Sequence, residues 1–312
     1  MHSVTGNTRF CKAVNEPESK YLENPSHLSR YTHERLLAQR ESDERFEQDL
    51  PPDWLKLLQE ELPKLVPFLQ KKCGVQFQGR ILEIGSGSAW FSAELSKLPR
   101  VVEIMATDFS PRVLKEHAPK VFAILKAKTA KITRMPADFH QLTFHDNHFD
   151  FVVCSGVLHD ATNIVQVLRE AKRVLKPGGS IVAIREPVWP LVKIKSRTKA
   201  LEQLLSKGIN ERFYTLSDYQ EFFRQASIPM VSHRVNTSTG FRYYVDKMVN
   251  GLTHARYAFV AAKKSPTRAP RPKASTARSG CQHRRSCLRA RIACSRTCSR
   301  RPRAERRTAA RC

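Results

Sequence analysis

The sequence predicts a single doubly wound α/β domain, on three observations: short apolar runs alternate with amphipathic segments, the first run passes through an acid into a glycine turn, and a Lys-Pro-Gly-Gly turn follows the last alternating helix. Alternation of this kind implies parallel strands joined by crossover helices. Strands are expected at Arg80–Ile84, Val102–Thr107, Lys131–Met135, Phe149–Cys154 and Ser180–Arg185. Helices are expected between them at about Ser88–Leu98, Ser110–Lys128 and Ile164–Leu175. Pro177 and the two glycines after it stop the last of these, since proline cannot continue a helix and glycine accepts positive φ.

On either side of this block the pattern is looser. The spacing of Trp54, Leu55, Leu57, Leu58, Leu62, Leu65 and Leu69 predicts a helix laid over the sheet or its ligand cleft. Beyond the fifth strand, KSRTKALEQLLSKGI and TLSDYQEFFRQAS read as helices, the second capped by Thr215 or Ser217. Val231–Val235 and Tyr257–Ala262 would then close the sheet as an antiparallel pair. The expected organisation is a polar, partly disordered lead-in over residues 1–52, the folded domain over 53–264 and a disordered Arg- and Cys-rich tail over 265–312.

Charge follows the same division. The formal net charge is +25, yet residues 263–312 hold 17 Lys or Arg against the single acid Glu305, leaving only +9 for everything before them. The tail arginines could neutralise phosphates of a nucleic acid, although the tail lacks the interleaved aromatics of a reading platform. Three scattered cysteines, Cys11, Cys73 and Cys154, make no disulfide framework in the body, and the tail cysteines form no paired CxxC units for a metal. With no signal-like leader and no apolar run of spanning length, a soluble cytoplasmic protein without transmembrane segments is expected.

The chemistry concentrates in Ile81-Leu82-Glu83-Ile84-Gly85-Ser86-Gly87-Ser88-Ala89. Glycines at such a turn let backbone approach a ligand, and the helix N-terminus beyond it favours a carboxylate or phosphate. A nucleotide-like cofactor is implied. Asp108 ends the second strand 23 residues after Gly85, where a carboxylate can accept both hydroxyls of a ribose; it also suits capping the helix near Ser110. Two cofactor classes use this layout. An NAD(P)-dependent oxidoreductase would place a small residue where this chain has Trp90.

An acid two residues before the first glycine, a small residue at Ala89, and the stretches Arg134-Met135-Pro136-Ala137-Asp138-Phe139, FHDNHFDFVVCSGVLHD and LREAKRVLKPGG together resemble the class I S-adenosylmethionine-dependent methyltransferases, particularly the group acting on small molecules and lipids. The resemblance is strong over about Gly79–Pro187. It implies a Rossmann-like seven-stranded sheet, mostly parallel with an antiparallel final strand, and S-adenosyl-L-methionine as cofactor. It further implies that Glu83, Gly85, Ser86, Gly87, Asp108, Phe109, Ala137, Asp138, Phe139, Cys154 and Ser155 surround that cofactor. Asp138 would accept the adenine amino group, Phe139 would pack on the ring, and Cys154, Ser155 and Gly156 would lie beside the methionine portion.

Methyl transfer is an in-line displacement in which the charge on a sulfonium disperses, so orientation and exclusion of water can supply much of the rate. A general base is needed only if the acceptor must lose a proton. His159, just after the fourth strand, is the first candidate, with Asp160 to orient it, and Glu186 at the end of the fifth strand is the second. Trp189, Phe213 and Tyr214 could line an apolar acceptor pocket or simply pack. The acceptor is expected to be a small molecule; a nucleic-acid-associated methyltransferase using the tail is the other possibility.

Overall fold

The computed structural model describes residues 19–24, 52–188, 214–238, 240–241, 243–245 and 256–265. The expected helix KSRTKALEQLLSKGI, Trp189, Phe213 and the tail beyond residue 265 lie outside them. By compactness the chain divides into Met1–Pro266 and Thr267–Cys312, and the described fold belongs to the first.

The alternation in the sequence becomes one eight-stranded sheet. Its strands are β1 (Lys20–Tyr21), β2 (Gly79–Ile84), β3 (Val101–Asp108), β4 (Ile132–Pro136), β5 (Phe149–Ser155), β6 (Leu175–Pro187), β7 (Met230–Arg234) and β8 (Arg256–Ala262), in the order β1-β4-β3-β2-β5-β6-β8-β7. Every pairing from β1 to β6 is parallel, whereas β8 runs antiparallel to both β6 and β7. The chain order reverses direction between β2 and β5. In doubly wound sheets the crevice at such a switch point is where ligands sit, beyond the carboxyl ends of the strands.

Two departures from the expected layout have physical reasons. The polar lead-in supplies β1, an eighth strand, because Leu22 N–H donates to the Arg134 carbonyl (2.8 Å), while the buried Arg134 guanidinium donates to the Ser19 carbonyl (3.0 Å). A chain segment with little apolar character is thus held by backbone pairing and by cations over the Tyr21 ring. The second departure is β6, which starts at Leu175 and takes in the whole Pro-Gly-Gly turn. Gly178 N–H donates to the Lys263 carbonyl and Lys263 N–H to the Gly179 carbonyl, so the turn is paired with the chain leaving β8.

Helices cover both faces. On one side, the run from α1 (Pro52–Lys56) through a π-helical stretch, Leu57–Glu61, and a 3₁₀ turn, Leu62–Lys64, to α2 (Leu65–Lys72) buries Leu58, Leu62, Leu65 and Leu69 with α3 (Trp90–Ser96) and α4 (Ala118–Leu125) against Ile81, Ile104, Val153, Val182 and Ile184. On the other, α5 (Ile164–Val174) and α6 (Leu216–Gln225) close over Leu82, Ile84, Val152, Cys154, Ala183 and Phe259. Alternate residues of each strand therefore serve opposite cores, as the two-residue period demands. The cap expected at Thr215 is present: its hydroxyl accepts from Asp218 N–H, and the Asp218 carboxylate accepts from Thr215 N–H (2.7 Å).

Candidate active site

At the carboxyl end of β2 the chain turns through Gly85 and Gly87, both at positive φ (59° and 52°). Gly85 is obligatory by close approach as well: a Cβ there would lie 2.5 Å from Val157 Cγ1. Ala89, standing where the resembled family has its third glycine, still adopts the left-handed conformation (φ 57°) at the start of α3. Asp108 ties the turn to the neighbouring strand end, for Oδ2 accepts from Gly87 N–H at 2.7 Å and Oδ1 from Ser110 N–H at 2.9 Å. The carboxylate thus fills the capping role foreseen for it and fixes the glycine turn as well.

Glu83 lies below this turn. It is buried, and its Oε2 accepts from Ser92 N–H (2.8 Å) and the Ser92 hydroxyl, which pins α3 to the sheet. Burial pushes its carboxyl up to about 8, against the pull of the Ser92 hydrogen bonds and with help from the Asp108 charge. These bonds hold the start of α3 to the strand that leads into the glycine turn.

The adjacent strand ends carry the other expected residues. Ala137 is buried and its N–H donates to the Asp108 carbonyl (2.9 Å), so the loop after β4 is fixed to the end of β3. Asp138 is buried; its Oδ1 accepts from His140 N–H (2.8 Å) and meets His140 Nδ1 at 2.9 Å. Because Nε2 of that ring accepts from Asn163 N–H (3.4 Å), the proton sits on Nδ1, and His140 is a donor that fixes the carboxylate. Sequence reasoning missed this residue, although its position two after an acid in a tight turn was a usable signal. Phe139 packs edge-tilted on the His140 ring, and Phe109 is partly buried after β3. Cys154 is buried, its thiol pushed well up by desolvation and by the Glu186 and Glu83 charges, and it is inert as a nucleophile. Ser86 Oγ and Ser155 Oγ are both buried without a hydrogen-bond partner. Two orphaned hydroxyls where the glycine turn meets the end of β5 are what a polar ligand would satisfy.

The two candidate bases come together. Glu186 is fully buried, and its Oε1 accepts from Val157 N–H (2.9 Å) and Leu158 N–H (3.1 Å). Its Oε2 meets His159 Nδ1 at 3.1 Å and Tyr219 Oη at 3.5 Å. The orienting partner of His159 is therefore Glu186; the Asp160 expected in that role instead has Oδ1 3.5 Å from Nε2. A β-bulge makes the pairing possible. Ile184 pairs with Ala258 and Glu186 with Tyr257, so Arg185 is an extra residue, held at φ 62°. Ile184 packs into the core under α1 to α4; in an unbulged strand, with Arg185 in register opposite Tyr257, Glu186 would share that face, away from Val157, Leu158 and Tyr219 in the opposite core.

Among the described residues no group of three or more His, Cys, Asp or Glu is placed to hold a metal, and no helix is long and apolar enough to cross a membrane. Tyr214 packs against Tyr219 and Phe222, as an aromatic wall of α6.

Residues 82–183 match the family model described as a methyltransferase domain. The chain is 26% identical over 177 residues to the ubiquinone/menaquinone biosynthesis C-methyltransferase UbiE of Pseudomonas aeruginosa (strain LESB58), covering 56% of this chain and 60% of that protein. It is 30% identical over 131 residues to the demethylmenaquinone methyltransferase of Staphylococcus saprophyticus, covering 40% and 53%. The match thus spans about 60% of the length of the first of these relatives. In fold the chain is similar to Haemonchus contortus phosphoethanolamine N-methyltransferase 2 in complex with S-adenosyl-L-methionine (TM-score 0.54, 15% identity, 73% of this chain and 60% of that one). It is similar also to the [4+2]-cyclase SpnF (TM-score 0.51, 16% identity, 80% and 98%).

Proposed function

We propose that this chain, whose residues 82–183 match a methyltransferase domain model, transfers the methyl group of S-adenosyl-L-methionine to a small-molecule acceptor that must give up a proton. The observation that carries the reading is the cleft at the sheet's switch point, where a glycine turn held by Asp108, two buried partnerless hydroxyls and the His159–Glu186 pair converge at the ends of β2, β3, β5 and β6. Asp108 and Asp138 would hold the ribose and adenine ends, with Phe109, Ala137 and Phe139 forming the wall between; Gly85, Ser86, Gly87, Cys154 and Ser155 would cradle the amino-acid end. The bound cofactor supplies an electrophilic methyl group, and the protein's own part is orientation and proton removal.

For the latter, Glu186 accepts the Nδ1 proton of His159 and so leaves Nε2 as the basic nitrogen. Carboxylates near both ring nitrogens stabilise the imidazolium formed when Nε2 takes the acceptor's proton. Tyr219 packs its ring on Phe259 and keeps water from Glu186. A base of this kind is required for a hydroxyl or an acidic C–H and is superfluous for a thioether or tertiary amine. The names of the relatives, a ubiquinone/menaquinone biosynthesis C-methyltransferase and a demethylmenaquinone methyltransferase, support a small-molecule acceptor, and methyl transfer to carbon is a reaction in which a C–H proton must leave.

The test is calorimetric titration of the full chain with S-adenosylmethionine, S-adenosylhomocysteine and NADH, repeated on Asp108→Ala. Micromolar-range binding of the first two, lost in the variant, is expected. Binding of NADH alone would replace the reading with an oxidoreductase, and binding of none of the three would leave a fold without this cofactor.

A further inference from the structure

Arg185 stands at the strand end that carries the candidate site, and neither the glycine turn nor the His159–Glu186 pair uses it. It stands at the carboxyl end of β6 as the extra residue of the bulge, in a left-handed conformation that a branched or long side chain rarely adopts. Its side chain is partly buried, and its Nε is fully buried without a hydrogen-bond partner. Native proteins seldom tolerate either feature, and they seldom combine them.

The surroundings do not satisfy it. Burial lowers the guanidinium's proton affinity to a pKa of about 10, reinforced by the Arg256 charge, and the opposing charges of Glu186 and Glu61 act only at a distance. Glu186 is already committed to two backbone N–H groups, His159 and Tyr219, and Glu61 is exposed at the end of the π-helical stretch. What remains is a planar cation with its buried Nε–H unspent, next in sequence to the carboxylate that orients the base. Guanidinium groups so placed are matched by paired oxygens.

We propose that Arg185 anchors an anionic group of the methyl acceptor, a carboxylate or a phosphoryl oxygen pair. The inference rests on the methyltransferase reading only for calling the bound anion an acceptor; the anion site itself stands on Arg185. Anchoring at Arg185 would fix one end of the acceptor while its reacting hydroxyl or carbon faces His159. The bulge then has two products: it turns Glu186 toward His159 and sets Arg185 apart to bind.

The experiment uses the full chain labelled with ¹⁵N-arginine and saturated with S-adenosylhomocysteine, titrated separately with inorganic phosphate and with benzoate. The Arg185 Nε–H resonance is identified by its loss in Arg185→Lys. Arg185→Gly is the second variant, since glycine suits the positive φ and removes the guanidinium without straining the bulge. The expected result is a saturable shift of that resonance with at least one anion, and an affinity for it at least tenfold weaker in Arg185→Gly, whose affinity for S-adenosylhomocysteine is unchanged. Response to phosphate alone marks a phosphoryl acceptor and response to benzoate alone a carboxylate. A resonance that stays still with both anions, or equal affinities in wild type and Arg185→Gly, overturns the proposal. Failure of S-adenosylhomocysteine to bind would instead strike the methyltransferase reading, and the anion titration is then read without it.

Discussion

Replacing Glu83 by Gln should make the protein less sensitive to alkaline conditions, and the size of the effect follows from the burial of one carboxyl. Burial holds the carboxyl at about 8 in the fold, against an ordinary value of 4.5. Below about pH 4.5 the group is protonated in both folded and unfolded chains and the fold keeps its full stability. As the pH rises from there, the unfolded chain releases the proton while the folded chain retains it, so stability falls until the folded group ionises near pH 8. Between about pH 5 and 8, three units at 1.36 kcal/mol each amount to roughly 4 kcal/mol of stability lost by the wild type. Glutamine is a neutral near-isostere whose amide oxygen can accept from Ser92 N–H and the Ser92 hydroxyl, so it carries no such slope. Urea unfolding of both proteins at about pH 5 and pH 8 should show the variant gaining about 4 kcal/mol relative to wild type across that window. Parallel curves, within about 0.5 kcal/mol, would mean that Glu83 is ionised in the fold and that the reasoning is wrong.

Three further outcomes are expected. Glu186→Gln turns an amide N–H toward His159 Nδ1 and so moves the ring proton to Nε2; ¹⁵N spectra of the histidines should report the tautomer change, and turnover should fall by about 10²- to 10⁴-fold with cofactor affinity kept. Gly85→Ala drives a methyl group into Val157 at a backbone angle of φ 59°, and calorimetric unfolding should record a loss of roughly 2–5 kcal/mol together with loss of S-adenosylhomocysteine binding. Thr215→Ala removes the α6 cap and should cost about 1 kcal/mol by denaturant titration while leaving cofactor affinity untouched.

Most of the sheet was legible because local signals agreed with the global arrangement: β2 to β5, the closing pair β7 and β8, and the Thr215 cap fall within two residues of where periodicity and turn chemistry put them. The edge strand β1 was not, since Lys20 and Tyr21 join β4 through backbone pairing and a buried Arg134 more than a hundred positions away. Within the site, Asp108, His159 and Glu186 were legible from their places at strand ends, the glycine turn from its spacing, and Asp138 only through the family resemblance. Their mutual geometry was hidden. That Glu186, 27 positions beyond His159, outcompetes the adjacent Asp160 for Nδ1 depends on a bulge, and a one-residue bulge leaves no trace in an apolar run such as Ser180–Arg185. His140 was missed for a different reason: its partner is two residues away, but its second nitrogen is fixed by Asn163, across the loop.

The bulge in β6 makes the face that Glu186 presents depend on one backbone angle. Ile184 and Glu186 already stand opposite the consecutive β8 residues Ala258 and Tyr257, so deleting Arg185 would leave a regular strand with the carboxylate on the side it holds today. Bringing Arg185 into register opposite Tyr257 would instead carry Glu186 to the face of Ile184, into the apolar core beneath α1 and α2, and the base would lose its partner. Among variants of this chain, loss of Arg185 should therefore be tolerated better than its replacement by a β-branched residue, which resists φ 62°, a pattern that a deep scan of substitutions and single-residue deletions can read directly.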